Sequence, residues 1–234
     1  MPSPRSAAGR RHRRVRGGEP RPLVLSDTWH AASMREVDVE HEQTVQAARY
    51  DDADLTDRLA ERVEFLQCRF RGARLAGSRL SRVRFTDCLI ERCDLSNLRG
   101  DSGVLERVKV VECRMTGFAF NDGLVRDVTF EDCKADLTNW RQARLEAAVF
   151  VGCSLAGADF TDADLRGATF LRCDLVGGQF HHATMTGTRF RACELEGIGG
   201  ITSWDGAIVH PDDLLGLAYV LAGALGIKVD SAGE

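Results

Sequence analysis

From Ala143 to Leu175 a Leu or Phe falls on every fifth residue, at 145, 150, 155, 160, 165, 170 and 175. Two residues ahead of each stands a small side chain: Ala143, Ala148, Cys153, Ala158, Ala163, Ala168 and Cys173. A period of five matches neither the 3.6-residue repeat of a helix nor the alternation of a half-buried strand. Units this short bury too little apolar surface to fold alone, so they stack, and a chain built from them is a solenoid.

The register begins at Asp51 with Asp-Asp-Ala-Asp-Leu and keeps its phase without an insertion to about Gly200. Leu or Phe fills 19 of the 27 positions from 65 to 195. Ten of the eleven Phe lie on it, while Phe118 and all eight Cys lie on the small-residue register. The large and the small residue of each unit therefore point inward, and the other three, rich in Arg, Asp, Glu, Thr and Gly, point outward.

The cysteines set the number of sides. They stand at 68, 88, 93, 113, 133, 153, 173 and 193, with gaps of 20 apart from one gap of 5. A gap of 20 is one coil of four units. This predicts Cys93, Cys113, Cys133, Cys153, Cys173 and Cys193 in one inner column, with Cys68 and Cys88 in the adjoining one. Coils spaced like strands, roughly 4.8 Å apart, pair their backbone groups and satisfy them. About thirty units then make about seven and a half coils, a rod roughly 35 Å long. A slot too tight for Leu suits a buried thiol. No Cys-x-x-Cys pair occurs and the spacing is foreign to zinc sites, so neither a metal nor a cofactor is expected. The register weakens at Gly100 and Gly103, and again at Ala135 and Trp140, where local bulges are expected.

Units such as Ala158-Asp159-Phe160-Thr161-Asp162 and Ala163-Asp164-Leu165-Arg166-Gly167 resemble the pentapeptide-repeat family, whose loose consensus is Ala-(Asp/Asn)-Leu-X-X. The resemblance covers about 150 residues. It implies an all-β, right-handed quadrilateral β-helix with the centre residue of each unit inside. It also implies dimerisation through C-terminal helices, and a role like that of members that protect DNA gyrase and related type II topoisomerases from quinolones or toxins, or inhibit them.

The flanks lack the period. Residues 1–22, with seven Arg and one Glu, have the composition of a disordered basic leader, and residues 23–50 are expected to cap the first coil. Residues 201–234 are read as a C-terminal cap with a helix over about 211–225. Pro211 suits its first turn, Asp212 and Asp213 suit its positive end, and Gly226 suits its stop. A capping helix needs one apolar face; this one has more. The surplus either deepens the cap with Ile201, Trp204 and Ile208 or meets a second copy, and the resemblance implies the second, through Leu214, Leu217, Leu221 and Leu225. No apolar run approaches the roughly 20 residues of a membrane span, and the leader lacks the apolar core of a secretory signal, so the cytoplasm is the expected compartment.

Chemistry finds little purchase. His181 and His182 are adjacent, but the nearest thiols, Cys173 and Cys193, point into the core. Asp159, Asp162 and Asp164 suggest acid–base work, yet a convex rod offers no pocket to shelter them. No P-loop, dinucleotide or nucleophile-elbow motif is present, and the recurring Gly152, Gly157, Gly167, Gly177, Gly187 and Gly197 fall on corners rather than around a phosphate. No catalytic residue is expected and an enzyme is excluded.

Charge is the remaining signal. Residues 61–115 carry 12 basic and 8 acidic groups, residues 116–200 carry 8 and 12, and residues 201–234 carry 1 and 5. Arg69, Arg74, Arg79 and Arg84 mark the N-terminal half. Asp122, Asp127, Asp132, Asp159, Asp162, Asp164, Asp174 and Glu194 mark the C-terminal half as an acidic binding surface. Copies joined at their C-terminal ends would present a continuous acidic rod, imitating a duplex with one negative charge per roughly 1.7 Å of axis. Together with the role that the family resemblance implies, the expected function is that of a non-enzymatic interaction protein binding a topoisomerase by DNA mimicry, without direct DNA binding by the solenoid. A scaffold for an unrelated protein partner is the alternative.

Overall fold

The computed structural model describes residues 19–33 and 38–228. From Thr44 to Arg191 its strands pair in parallel with their counterparts one coil away at an offset of twenty. On one side Val45 lies opposite Phe65, Phe65 opposite Phe85, Phe85 opposite Leu105, Leu105 opposite Val125 and Val125 opposite Leu145. The adjoining side runs from Tyr50 through Phe70, Ile90, Val110, Phe130, Phe150 and Phe170 to Phe190 in the same manner. The product is a β-solenoid of about nine turns with a C-terminal helix.

Each corner puts one residue in the left-handed region, at position 42 and then every fifth residue to 197. Asp, Asn and Gly tolerate this conformation best, and Asp57, Asp87, Asn97, Asp122, Asp127, Asp132 and Asp162 all occupy such corners. Arg82, Arg107 and Leu137 do so as well, because the ladders on both sides of a corner over-determine its backbone. Up to three corners in a coil are closed by hydrogen bonds, as where Ser78 N–H donates to the Leu75 carbonyl and Val83 N–H to that of Leu80. A positive φ at the third residue is what a type II turn requires there. At another corner the ladder continues across the left-handed residue, and the strands Val104–Val111, Leu124–Glu131 and Arg144–Val151 run through it across two sides.

The core is built from columns. Phe130, Phe150, Phe170 and Phe190 stack face to face at centroid spacings of 4.7, 5.0 and 5.0 Å. Phe160 and Phe180 stack in the adjoining column, and rings of the two columns meet edge to face at interplanar angles of 81° and 88°. That near-right angle is the corner of the quadrilateral seen from inside. In these coils the other two sides are aliphatic, with Leu145 and Leu165 on one and Leu155, Leu175 and Leu195 on the other, all buried; in the N-terminal coils Phe65 and Phe85 stack on the first of them.

The two weak places in the register are exchanges of side-chain volume, not the backbone bulges expected. Bridges Arg79–Arg99, Arg99–Ala119, Ala119–Asn139 and Asn139–Asp159 carry the twenty-residue offset straight through both. Gly100, Gly103 and Gly123 surround the Phe120 ring so closely that a Cβ at any of them would come within 3.0 Å of it. Trp140, wholly buried beside the small Ala135, packs on Phe118, Phe120, Phe130 and Phe150. Its indole N–H donates to Thr138 Oγ1 at 3.0 Å, and Thr138 donates to the Ala135 carbonyl at 2.9 Å. Where the aromatic column thins to Ile90 and Val110, an apolar cavity of about 30 Å³ remains, lined by those two and by Met115, Phe120 and Phe130.

All eight cysteines are buried, and none is joined in a disulfide. Each thiol of the long column from Cys113 onward lies against the carbonyl 23 residues earlier, as Cys153 does against Phe130 and Cys173 against Phe150. Hydrogen bonds with Cys133 and Cys93, followed by burial, push the Cys113 thiol well up; Cys153 and Cys193 do the same to Cys173. Burial leads in raising Cys88. Hydrogen bonds from their column neighbours lower Cys93, Cys153 and Cys193 instead, and all eight, enclosed in the core, pack as small side chains. Asp213 takes the next place in the column, twenty residues after Cys193, and accepts the Cys193 N–H at 3.2 Å.

The paired region is longer at both ends than the span 51–200. Strands Thr44–Gln46 and Ala48–Asp51 already belong to the ladder, and His30–Ala31 pairs with Ala48 and Arg49. At the other end Phe190 pairs with Val209, an offset of nineteen. One residue is lost at the left-handed Gly200 and the turn Ile201–Ser203, and this slip ends the visible period. Trp204 nevertheless continues the aromatic column, stacking on Phe190 at 4.5 Å. A 3-10 turn, Pro211–Asp213, then leads into helix α1, Leu214–Ala224.

Candidate functional site

The eight acidic residues are distributed around the rod. Asp122 and Asp162 share one corner column two coils apart, and Asp159 and Asp164 flank that corner on its two sides. Asp174 and Glu194 are neighbours in a column on a different side, directly bridged through their backbones. Asp127 and Asp132 occupy two further corners. The nearest approach to a cluster is thus Asp159, Asp162 and Asp164 along one edge.

Two of those three carry a cation. Asp159 accepts from Thr161 N–H at 2.9 Å and from Arg141 at 3.0 Å; Asp164 is paired with Arg166. Burial opposes both charges, but Thr161 and Arg141 outweigh it at Asp159 and Arg166 outweighs it at Asp164, so both carboxyls are held below the usual carboxylate range. Asp162 is exposed. Asp174 accepts its own loop's Val176 N–H at 2.9 Å, and Asp122 faces the Ser102 hydroxyl at 3.4 Å. Asp127, 7% exposed, is held by Arg21.

Arg21 belongs to a feature that the sequence reading did not single out. Of the leader expected to be disordered, residues 1–18 lie outside the described residues, but 19–22 do not, and the chain from 19 to 31 follows a corner of the rod. Arg21 meets Asp127, Val24 meets Asp87, and the Trp29 indole donates to the Gln67 carbonyl at 3.0 Å. The only forward signal was the non-periodic Glu-Pro-Arg-Pro of residues 19–22, which has the prolines of an extended segment.

Of the four leucines assigned to a dimer, Leu217 is buried against the solenoid, whereas Leu214, Leu221 and Leu225 are exposed. Leu215 and Tyr219, 79% and 67% exposed, extend the uncovered surface. No charged residue occurs from Leu214 to Ile227. His181 and His182 are exposed on a corner, and the His182 N–H donates to Ser203 Oγ. Among the described residues no three His, Cys, Asp or Glu side chains are grouped to hold a metal. Nor is any helix there long and apolar enough to cross a membrane.

Two family models match the sequence: one described as a pentapeptide repeat region, over residues 136–199, and one as pentapeptide repeats in eight copies, over residues 51–87. The chain is a pentapeptide-repeat protein. Among solved structures, two trypsin-treated forms of QnrB1, a plasmid-mediated fluoroquinolone resistance protein, are similar to it. One is 20% identical, covering 82% of this chain and 97% of that one with a TM-score of 0.35. The other is 23% identical, covering 82% and 100% with a TM-score of 0.34. The pentapeptide repeat protein Rfr23 from the cyanobacterium Cyanothece 51142 is 11% identical over 73% of this chain and 91% of its own, with a TM-score of 0.19. A comparison with curated proteins finds no match. Pentapeptide-repeat proteins are typically non-enzymatic binding proteins, in keeping with a rod whose large side chains are consumed by its core.

Proposed function

We propose that this pentapeptide-repeat protein is a non-enzymatic protein-binding rod, acting in the cytoplasm as a two-fold dimer, with a type II topoisomerase such as DNA gyrase as its partner. The observation that carries the reading is the uncharged face of α1, where Leu215, Tyr219 and Leu225 stand exposed at the acidic end of the rod. A contiguous apolar surface of that kind favours association, and a self-complementary patch closes into a dimer. Pairing there joins two acidic halves, and the exposed Asp162, Asp132 and Glu194 supply charge that is not already neutralised. The topoisomerase assignment follows the sequence resemblance and the fluoroquinolone resistance ascribed to QnrB1.

Adding the protein to a gyrase supercoiling reaction, with and without a quinolone, tests this. The expected result is slower supercoiling, or fewer drug-induced breaks, with a weaker effect for Leu215→Glu at low protein concentration. Unchanged supercoiling and cleavage at large molar excess would remove the topoisomerase. One observation favours the second reading, a scaffold for an unrelated protein. Arg141, Arg166 and Arg21 pair with Asp159, Asp164 and Asp127, so the acidic half is less like a uniform line of phosphates than its composition suggests.

A further inference from the structure

One corner column of the rod contains Ala47, Gln67, Asp87, Arg107 and Asp127, and the segment from Pro20 to Ala31 lies along it, parallel to the axis. The His30 N–H donates to the Ala47 carbonyl at 3.1 Å. Gln67 receives the Trp29 indole on its carbonyl and donates its side-chain amide to the Val24 carbonyl at 3.2 Å. Asp87 accepts the Val24 N–H at 2.9 Å, and Asp127 accepts the Arg21 N–H at 3.1 Å and its guanidinium at 2.7 Å.

The spacing has a physical basis. Asp87 and Asp127 are two coils apart, or roughly 9.6 Å at the strand spacing. Arg21 and Val24 are three residues apart, roughly 9.3 Å in the extended conformation that Pro20 and Pro22 favour. A corner carboxylate on alternate coils therefore meets a backbone N–H on every third residue of an extended chain. Both carboxylates are nearly enclosed, Asp87 8% and Asp127 7% exposed. Asp87 also holds Arg107 through two bonds of 2.7 and 2.8 Å, which fix its orientation. Among the described residues Arg21 is the one cation bonded to Asp127.

Polar bonds rather than apolar packing hold this segment. Val24 is 59% exposed, and a cleft of about 350 Å³ separates Pro20–Leu23 from Arg107, Lys109 and Thr129 on the rod. Such a contact opens at low cost compared with the core. What the seam recognises is an extended backbone with a guanidinium at one position, and nothing about it requires that backbone to be in the same chain.

We propose that the Asp87–Asp127 seam is a docking site for an extended, arginine-bearing segment of a partner protein, filled in the free protein by residues 20–24. The seam binds the incoming arginine at Asp127 and the N–H three residues later at Asp87, and the protein's own segment competes with it from a tethered position. The proposal is independent of the identity of the partner proposed above and of dimerisation.

A fluorescent peptide with the sequence of residues 19–29 provides the probe, read by anisotropy against the full-length protein. Full-length Arg21→Ala should bind it at least tenfold more tightly than the wild type, since the tethered competitor has lost its charge-assisted bonds. Adding Asp127→Asn to that variant, or replacing the arginine of the peptide by alanine, should weaken binding at least tenfold. Asn tolerates the left-handed conformation at 127, and an unchanged circular dichroism melt verifies that fold. Absence of binding to Arg21→Ala at about 1 mM peptide, or binding indifferent to Asp127→Asn, overturns the proposal. On the wild-type protein, excess unlabelled peptide should speed amide exchange at Arg21 and Val24; exchange that stays constant also overturns it.

Discussion

Replacing Phe170 by Ala removes the middle ring of the aromatic column. Phe170 is fully buried, stacks at 5.0 Å on both Phe150 and Phe190, and meets the edge of Phe160 at 5.7 Å. Loss of a buried Phe side chain costs about 3–5 kcal/mol, the spread depending on how far the site collapses. Collapse is poor here, because ladders on both sides hold the coils at fixed spacing. The value should therefore lie near the top, about 4–5 kcal/mol. Leu165→Ala, in the adjacent aliphatic column, should cost about 3 kcal/mol. Urea unfolding followed by circular dichroism measures both, and a double-mutant cycle on Phe150 and Phe170 isolates the ring–ring coupling, expected at about 0.5–1.5 kcal/mol. A Phe170→Ala cost below about 2 kcal/mol, or a coupling within error of zero, would refute the column as a source of stability.

Val110→Ile adds one methylene beside the cavity of about 30 Å³ and should raise stability by about 0.5–0.8 kcal/mol in the same urea assay. Gly100→Ala should destabilise by about 1–3 kcal/mol, since its Cβ would sit 2.9 Å from the Phe120 ring. Burial opposes the Asp87 carboxylate, but Arg107 and the Val24 N–H hold it below its ordinary 3.8. Its contribution is thus complete above that value and is lost as pH falls through the lower, folded one. Asp87→Asn should accordingly flatten the fall of the melting temperature as the pH drops below about 4. Light scattering should report a dimer for the wild type and a monomer for Leu215→Glu with Tyr219→Glu, both exposed positions whose exchange leaves the core intact.

Much of the interior was legible because it is periodic. The cysteine gaps alone specify four sides, and every Phe lies in a column that can be counted. What escaped was aperiodic or compensated. Val45, Ala48 and Tyr50 already occupy inward places, but two units without Leu or Phe do not make a visible repeat. The single-residue slip near Gly200 hid the last pairing, between Phe190 and Val209. The exchange of volume between Gly100 and Phe120 looked like a backbone defect because a one-dimensional pattern carries no information about the coil above.

The surface was less legible for a different reason. Asp122, Asp127, Asp132 and Asp162 are acidic, but all four are also corner residues with positive φ, where Asp is favoured for its backbone tolerance. A count of charges therefore mixes residues selected for turns with residues available to a partner. Arg21 and Asp127 are 106 residues apart in sequence, and no local pattern announces their pairing.

Coil deletion tests the twenty-residue architecture most directly. Removing residues 156–175 takes out one whole coil and leaves every later residue in its own column, so Phe180 lies over Trp140 and Phe190 over Phe150. Removing only 171–175 turns the later chain by one side, placing Phe180 over Leu155 and Phe190 over Leu165. The account predicts that the larger deletion yields a cooperatively melting solenoid close to the parent in stability, and that the smaller one melts far lower or fails to fold. A five-residue deletion as stable as the twenty-residue one would contradict it.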